Sequence, residues 1–418
     1  MTGAKAELPH VAYVMSRFPK LTETFILYEI LALQELGFKV SVFPLLRQRE
    51  PVRHAEVERV AAVVQYLPFV SLAILRSQLH HLRHRPRTYV RTLATLVRAN
   101  LGSANYLFGG LAIFAKVAHL ARLARAAGVD HVHCHFSSHP ATAGFILHRL
   151  SGIPYSFTAH GSDLHVDRHM LCEKASEAAF VVAISEYNRR VITDHCGPQI
   201  ASRVDVIHSG VDGEFFRPIA DLPAQGAPLR IICVGSLAEV KGHRYLIDAL
   251  RDLESDGIDF QCQLVGDGPL RAQLEQRVAD AGLADRVTFL GARDRSQVRA
   301  LMAEADVLVV PSVPTAEGRR EGIPVVLMEG MASGLPAIAS RISGIPELVD
   351  DGVSGLLVAA RDVAALADAL RRLHGDVGLR RALGQAGRQK VVRQFDIRAT
   401  ARQLADRIIA THRARGRC

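Results

Sequence analysis

Residues 321–358 read EGIPVVLMEGMASGLPAIASRISGIPELVDDGVSGLLV, and this stretch decides both the fold class and the chemistry that we expect. Pro324 is suited to the first position of a helix, where its missing N–H costs nothing, and Gly334 is suited to the end of that helix. Glu321 then precedes the helix, while Glu329 lies on it. A helix N-terminus offers free N–H groups to an anion. The pattern therefore predicts a phosphate bracketed by two carboxylates that accept hydrogen bonds from sugar hydroxyls; the alternative is two solvated glutamates.

The same alternation of strand and helix extends outward from this stretch over the whole chain. Residues 22–36 have helical periodicity, with Thr22 as a start and Gly37 as a stop. Strand, helix and strand joined by short loops predict parallel sheets covered on both faces, with ligands bound beyond the carboxyl ends of the strands. The predicted strands are residues 10–16, 39–45, 131–136, 155–159, 180–184 and 204–207, then 230–235, 260–266, 287–291, 306–311 and 336–339.

A chain of 418 residues is long for one domain, and a Pro- and Gly-rich stretch marks the division. We place the linker at residues 211–228. It separates an N-terminal domain of residues 1–210 from a C-terminal domain of residues 229–395. Residues 396–418 are predicted to form a helix that packs back on the N-terminal domain.

The formal net charge of +9 is concentrated in the N-terminal half. No acidic residue occurs in residues 59–129, which we interpret as a basic helical insertion. In it, Leu72, Leu75, Leu79 and Leu82 follow an i, i+3, i+7, i+10 pattern. Such a segment is typical of a surface for anionic lipid or a lipid-linked pyrophosphate, with a merely solvated helix face as the alternative. Nucleic acid is not expected, since exposed aromatic residues do not interleave the charges. The ten basic residues are Arg59, Arg76, Arg83, Arg85, Arg87, Arg91, Arg98, Lys116, Arg122 and Arg125.

The cysteines and histidines suggest no metal centre. Six cysteines occur without a CxxC pair, so we expect no disulfide or zinc framework and a reducing, cytosolic compartment. His131, His133 and His135 alternate on one strand, a spacing that can hold a metal. No matching carboxylate or cysteine pattern follows them, so we expect no metal. The N-terminus does not resemble a signal peptide, and no apolar run is long enough for a membrane span.

The 321–358 stretch resembles the glycosyl transferases group 1, which are retaining glycosyltransferases of family 4 with the GT-B fold. VGSLAEVKG (234–242), LVGDGPLR (264–271), VTFLGA (287–292) and ADVLVVPS (305–312) occur in the family order. SRFPKLTETFILYEI (16–30), GIPYSFTAHGSDL (152–164) and AISEYNRR (183–190) look like the bacterial exopolysaccharide subgroup that includes the colanic acid glycosyltransferases. The resemblance implies an α/β protein with two Rossmann-like, doubly wound parallel-sheet domains facing across a cleft.

The resemblance also implies roles for individual residues. Glu321 would hold the donor sugar near its anomeric carbon, and His160 would contact the transferred sugar, which makes these two the catalytic residues. By its position in the sequence alone, Asp163 could orient His160 or cap the next helix, and capping is the commoner use. The implied donor-binding residues are Gly235, Ser236, Lys241, Gly266, Gly322, Ile323, Pro324 and Glu329, with Lys241 on the pyrophosphate and Glu329 on the ribose. The implied acceptor or phosphate loop contains Ser16, Arg17, Phe18, Thr22 and Glu23.

One position departs from the family pattern. Ser236 stands where the family usually has an arginine. Lys241 would then act on the diphosphate together with another cation, such as Arg293 or Arg17, or the phosphates would bind more to backbone amides.

The resemblance predicts a glycosyltransferase that moves a sugar from a nucleotide-diphosphate sugar to a glycan or polyprenyl-diphosphate-linked acceptor, with retention. We expect it to act in bacterial exopolysaccharide or cell-surface polysaccharide biosynthesis, in the cytoplasm or peripherally on the inner face of the cell membrane. No cofactor is expected. The alternatives are a nucleotide-sugar epimerase of the same two-domain plan and a non-catalytic membrane-associated binding protein.

Overall fold

The computed structural model describes residues 8–48, 52, 54–218 and 227–416. It divides the chain into two compact units. The first comprises residues 1–50, 55–207 and 401–418, and the second comprises residues 51–54 and 208–400. Residues 1–7, part of the predicted linker and Cys418 lie outside the described residues.

The first unit contains a six-stranded parallel sheet in the order β2-β1-β3-β4-β5-β6. The winding direction reverses between β1 and β3, which makes their carboxyl ends the switch point where such sheets bind ligands. The strands are β1 Val11–Phe18, β2 Val40–Arg47, β3 His131–His135, β4 Tyr155–Ala159, β5 Phe180–Ala183 and β6 Val204–Val206. The helices are α1 Thr24–Glu35, α2 Val57–Val60, α3 Leu72–His84, α4 Pro86–Ala99, α5 Ala104–Ala126, α6 His139–Ser151, α7 Ser162–His165, α8 Leu171–Glu177 and α9 Glu186–Cys196.

The second unit contains another six-stranded parallel sheet, in the order β12-β11-β10-β7-β8-β9, and its switch point lies between β7 and β10. Its strands are β7 Leu229–Val234, β8 Phe260–Val265, β9 Val287–Gly291, β10 Val307–Val310, β11 Ala337–Ser340 and β12 Leu356–Val358. Its helices are α10 His243–Ser255, α11 Arg271–Asp280, α12 Arg295–Glu304, α13 Val325–Ala332, α14 Ile345–Leu348, α15 Val363–Gly375 and α16 Val377–Gln394, followed by α17 Ile397–Arg415, whose residues from 401 onward belong to the first unit.

These two sheets confirm the α/β prediction. The β-branched and other apolar side chains that produced the strand-like runs are buried in the two cores. Among the strands of the described residues, β12 is the one that lies outside the predicted runs.

The start of α1 differs from the prediction. The helix begins at Thr24 rather than Thr22, and Glu23 occupies its N-cap position. Ser16, Arg17 and Phe18 are strand residues rather than loop residues, because the pairing of β1 with β2 continues as far as Phe18 opposite Arg47. The predicted acceptor loop is therefore reduced to the short connection before Thr24.

The leucines of α3 lie on its exposed face. Leu72, Leu75, Leu79 and Leu82 are 72, 54, 67 and 43% exposed, whereas Ile74, Ser77 and His81 are buried. Pro86 interrupts the helical run, since α3 ends at His84 and Pro86 is the first residue of α4. The apolar stripe that the sequence shows is thus not the face that packs on the core.

Lys116 does not belong to the surface charge of the basic segment. It is buried on α5, where its Nζ donates a hydrogen bond to the carbonyl oxygen of Leu45 at 2.6 Å and lies 4.5 Å from the ring centre of Phe69. Burial lowers the pKa of its ammonium group. The remaining basic residues of residues 59–129 are exposed arginines.

The expectation that no segment is apolar enough to span a membrane is wrong by length and composition. Helix α5 has 23 residues and is the one such candidate among the described residues. The glycines and Lys116 conceal its length in the sequence. Half of its most apolar window is buried within the first unit, as expected for a core helix of a folded domain.

The expectation of no disulfide is also wrong. Cys172 on α8 and Cys196 on α9 are joined, with their Cα atoms 5.2 Å apart. The two residues are separated by 24 positions, and spacing in the sequence does not reveal that two helices bring them together. Cys134, Cys233 and Cys262 are free and buried, as core residues.

Candidate active site

The first group of candidate residues lies at the carboxyl edge of the second sheet. Gly235 and Ser236 follow β7, and Gly266 follows β8. Gly266 has a φ of +137°, and a Cβ atom there would lie 2.0 Å from the carbonyl oxygen of Gly235. Only glycine allows the two loops to approach each other in this way. The two loops therefore pack closely at the carboxyl ends of β7 and β8.

Lys241 and Glu321 are brought together from positions 80 residues apart, with Nζ 2.8 Å from Oε2. Lys241 ends a short 3₁₀ helix, and Gly242 after it has a φ of +69°. A Cβ at Gly242 would overlap the carbonyl oxygen of Pro311, so the close packing of this turn on the end of β10 depends on glycine. About a fifth of each charged side chain is exposed, which leaves the pair accessible to a ligand.

Helix α13 begins at Val325, with Pro324 as its N-cap rather than its first residue. Pro324 has a ψ of 127°, an extended conformation, and this explains the difference of one position. Gly322 and Ile323 form the loop that links Glu321 to the helix, and Ile323 anchors it by burying its side chain. The first turn of a helix has N–H groups with no partner inside the helix, and these can bind an anion.

Glu329 is the second glutamate of the motif and lies on α13, only 9% exposed. Burial raises the pKa of its carboxyl to about 7, and the nearby charge of Arg295 opposes this rise. Within the described residues, its carboxylate accepts no hydrogen bond. A buried carboxyl without a hydrogen-bond donor is unfavourable for stability. The carboxylate of Glu329 is therefore suited to a ligand that donates hydrogen bonds from two hydroxyl groups.

The two cations proposed to replace the missing arginine near Ser236 make contacts of their own. Arg293 donates a hydrogen bond to the carbonyl oxygen of Ala292 at 3.1 Å. Arg17 donates a hydrogen bond to Gln48 in the first unit at 3.0 Å. Lys241 is therefore the cation that the second unit pairs with a motif glutamate.

The other candidate group lies at the switch point of the first sheet. His160 directly follows β4 and is 9% exposed, with the rings of Phe25 and Phe136 at 4.5 and 4.7 Å. Burial, reinforced by His135 and His133, holds the pKa of His160 well below its usual range. His160 is therefore neutral at physiological pH.

Asp163 orients the backbone around His160 and does not cap α7. Its carboxylate accepts hydrogen bonds from the N–H groups of His160, Gly161 and Ser137, at 3.1, 2.7 and 2.7 Å. The amide of Asn188 donates to the carbonyl oxygen of His160 at 3.0 Å. The sequence spacing left capping and orientation open, and the structure supports orientation through the backbone rather than the ring.

A chain of buried side chains leads away from His160. His160 Nε2 lies 3.0 Å from His135 Nδ1, and His135 Nε2 lies 3.1 Å from Glu29 Oε1. Tyr13 donates its hydroxyl proton to the same oxygen at 2.8 Å. Burial raises the pKa of Glu29, but His135, His133 and Tyr13 together lower it below its usual value. Glu29 was not predicted, because the sequence gives no sign that α1 faces the end of β3.

Glu29, His133 and His135 also meet the distance criterion for a metal site, with their ligand atoms within 4.8 Å of one another. Each ring nitrogen of His133 and His135 already has a partner: Ser156 and Thr158 for His133, and His160 and Glu29 for His135. The histidines that the sequence singled out thus form a hydrogen-bonded network. Burial lowers the pKa of His133 to about 3.

The remaining residues of the predicted acceptor loop directly precede α1 in the first unit. Glu23 forms an ion pair with Lys20 at 2.5 Å, so its carboxylate is not free. Thr22 lies in the turn just before it. The structure places these residues but assigns them no ligand.

Comparison with known proteins is consistent with this geometry. Residues 22–215 match the model for "Glycosyltransferase Family 4", and residues 228–376 match the model for "Glycosyl transferases group 1". The chain is 30% identical over 410 residues to the amylovoran biosynthesis glycosyltransferase AmsK of Erwinia amylovora, covering 95% of this chain and 98% of that one. It is 31% identical to the putative colanic acid biosynthesis glycosyltransferase WcaL of Escherichia coli (strain K12), covering 94 and 98%.

The chain therefore belongs to glycosyltransferase family 4, and it is a glycosyltransferase of the exopolysaccharide type. Its fold is shared with solved structures of low sequence identity. The structure of Anabaena Alr3699/HepE in complex with UDP and glucose has a TM-score of 0.71 at 19% identity, covering 96% of this chain and 100% of that one. The GT-B prediction is confirmed.

Proposed function

We propose that this protein transfers a sugar, with retention of configuration, from a nucleotide-diphosphate sugar to a glycan or polyprenyl-diphosphate-linked acceptor, in the synthesis of a bacterial surface polysaccharide. The proposal rests on the ion pair between Lys241 and Glu321, which lies beside the start of α13. Glu329 on the same helix has a carboxylate without a hydrogen-bond partner among the described residues. A structural neighbour binds UDP and glucose, which agrees with a donor of this class.

Each group of this site has a distinct task in the proposal. The ammonium of Lys241 stabilises the negative charge that develops on the leaving diphosphate, assisted by the N–H groups at the start of α13. Glu321, held by Lys241, accepts hydrogen bonds from the sugar. Glu329 accepts hydrogen bonds from the ribose hydroxyls, as acidic residues do in other Rossmann folds. Positive charge from the protein itself makes a metal cofactor unnecessary in this proposal.

A screen of nucleotide sugars tests the donor site. A donor present at about 100 times its dissociation constant should stabilise the protein by about 2.7 kcal/mol, which is measured as a thermal shift. Lys241→Met should abolish the shift and lower donor turnover by about 100-fold or more. Lys390→Met is the matched control, because Lys390 forms an ion pair with Asp350 at 2.7 Å elsewhere in the same unit.

A binding protein without catalysis would give a different result. Slow hydrolysis of the bound donor should fall in Glu321→Ala, provided that the variant still unfolds at the wild-type temperature. Equal rates of donor hydrolysis by the wild type and Glu321→Ala would contradict the enzymatic proposal, even if both proteins still bound the donor.

The same proposal places the protein on the inner face of the cell membrane, bound through the basic segment. Among the described residues, eleven of the sixteen large apolar side chains with high exposure lie between residues 66 and 111. The arginines at 83, 85, 87 and 91 are exposed and form no ion pair with a described residue. Exposed leucines beside unpaired arginines fit an anionic lipid surface better than a neutral one.

Vesicle flotation tests this membrane face. The wild type should float with phosphatidylglycerol vesicles and not with phosphatidylcholine vesicles. A basic residue near an anionic surface contributes about 1 kcal/mol, so reversing Arg83, Arg85, Arg87 and Arg91 to Glu should weaken binding by about 1,000-fold or more. Leu75→Ser with Leu79→Ser should also reduce it. The control is Val353→Ser, an exposed apolar residue of the second unit.

Two results would contradict the membrane assignment. One is flotation that survives the charge reversal unchanged. The other is a leucine variant that changes the mass of the protein in sedimentation but not its flotation, since the stripe would then join copies of the chain.

A further inference from the structure

The chain of hydrogen bonds from Glu29 through His135 to His160 has a direction. Glu29 is ionised at neutral pH, and a carboxylate only accepts hydrogen bonds. His135 must therefore donate from Nε2. If each of the two rings carries one proton, the His135 ring that donates from Nε2 accepts at its other nitrogen, so His135 Nδ1 accepts from His160 Nε2 across 3.0 Å. It follows that His160 carries its proton on Nε2 and presents an unprotonated Nδ1.

The surroundings hold this arrangement in place. Tyr13 donates to the same oxygen of Glu29 and stacks on the ring of His135, with centroids 5.6 Å apart. His133 hydrogen-bonds to Ser156 and Thr158, which keeps it out of the chain. Within the described residues, Nδ1 of His160 has no hydrogen-bond partner. Its backbone is fixed independently by Asp163 and Asn188.

We propose that Glu29 and His135 are positioning residues that fix the tautomer of His160, so that His160 Nδ1 is a hydrogen-bond acceptor for a hydroxyl group of the bound sugar. This inference rests on the proposed function for its ligand, but not for the tautomer itself. It explains why an ionised carboxylate is placed behind two buried histidines at a sheet's switch point. It also gives a role to the alternating histidines that the metal hypothesis left unexplained.

The direct test is the tautomer of His160 by NMR. In protein labelled with ¹⁵N-histidine, His160 is assigned by its loss in His160→Asn, and two-bond ¹H–¹⁵N correlations show which nitrogen is protonated. The wild type should show protonated Nε2. In Glu29→Gln, the amide can either accept from His135 Nε2 or donate to it, so the direction of the chain is no longer fixed. The expected result is that a second His160 form, protonated on Nδ1, becomes populated.

Controls separate positioning from folding. Glu35→Gln on the same helix removes a surface carboxylate that pairs with Arg59, and should leave the His160 signals unchanged. Glu29→Asp should retain the wild-type tautomer. Should Glu29→Gln fail to fold, His135→Asn provides the second variant, and its effect is read from the same signals. An unchanged tautomer in folded Glu29→Gln overturns the proposal.

Kinetics provide the second readout. Glu29→Gln should lower kcat by about 10- to 100-fold, the range known for carboxylates that orient metal-binding histidines, with a smaller change in the donor KM. His135→Asn should do the same, and combining the two should add no further loss, because both act through His160. Additive losses would contradict a single chain. If no donor is turned over at all, the proposed function is wrong. The tautomer of His160 is still tested, because the NMR measurement does not require turnover.

Metal analysis closes the remaining alternative. Purified protein incubated with zinc and then dialysed should retain no zinc through these residues, because their ring nitrogens are already paired. Zinc retained at one equivalent, and lost in Glu29→Gln, would overturn the positioning proposal in favour of a metal site.

Discussion

Replacing Glu329 with glutamine should separate stability from donor binding. The pKa of Glu329 is about 7 in the folded protein, against an ordinary value of 4.5, chiefly because of burial. At about 1.4 kcal/mol per pKa unit, the ionised carboxylate destabilises the fold by about 3 kcal/mol. Glu329→Gln removes this penalty and keeps the size of the side chain.

The direction of the change in stability with pH depends on whether the folded or the unfolded state binds the proton of Glu329 more tightly. The folded protein holds the proton of Glu329 up to about pH 7, whereas the unfolded chain releases it near 4.5. The penalty therefore appears as pH rises from about 4.5 to about 7 and is complete above that. Relative to the wild type, Glu329→Gln should gain about 2.5 kcal/mol between pH 5 and pH 8.

Thermal unfolding measures this gain. The chain contains no tryptophan, so far-UV circular dichroism is the suitable signal. The difference in Tm between the variant and the wild type should widen by about 5 to 10 °C from pH 5 to pH 8. Glu317→Gln, at an exposed position in the same unit, is the matched control. A difference in Tm that does not change with pH would show that the pKa of Glu329 is not raised by burial, which would refute this reasoning.

The same variant should lose donor affinity. Wild-type binding of the nucleotide should strengthen as pH rises through about 7, because only the ionised carboxylate accepts from both ribose hydroxyls. In Glu329→Gln this pH dependence should disappear. A more stable protein that binds the donor less well is the combined signature of a site whose carboxylate is held for a ligand.

Three further predictions concern the surroundings of the two sites, each measured by urea unfolding. Gly266→Ala should destabilise more than Gly257→Ala, because both glycines have positive φ but only the new Cβ at Gly266 meets a backbone atom within 4 Å; equal losses would show that the loop can yield. Asp163→Asn should cost about 1 to 3 kcal/mol and lower kcat, because three N–H groups lose their carboxylate, whereas an unchanged kcat would argue against a role in holding His160. Reducing the bond between Cys172 and Cys196 should cost about 3 kcal/mol for a loop of this length, and no loss would indicate that the thiols are already free in solution.

The periodicity of the sequence predicted most of the fold, because parallel strands are buried on both faces and read as continuous apolar runs. The sequence-based predictions fail where tertiary contacts determine the end of a strand or the buried face of a helix. Ser16 and Arg17 look like loop residues, but pairing with β2 extends the strand through them. The leucines of α3 have the spacing of a core face, yet the helix buries Ile74, Ser77 and His81 instead.

The candidate sites show the same division. Glu321, Glu329 and Lys241 were predicted because their motif lies in short stretches of sequence. Their ion pair and the raised pKa of Glu329 could not be predicted, since both depend on loops that meet only in the folded sheet. Glu29 gave no signal, because a single glutamate in an apolar helix does not reveal its partner 106 residues away.

The most direct test of the proposed activity is transfer to a lipid-linked acceptor. The assay combines purified protein, a nucleotide sugar selected by thermal shift and a polyprenyl-diphosphate-linked saccharide in phosphatidylglycerol vesicles. The mass of the acceptor is then measured by mass spectrometry. The account predicts an acceptor heavier by one sugar residue, with the wild type and Lys390→Met active and Lys241→Met reduced by about 100-fold or more. Equal transfer by Lys241→Met, or no transfer with any donor that binds, would contradict it.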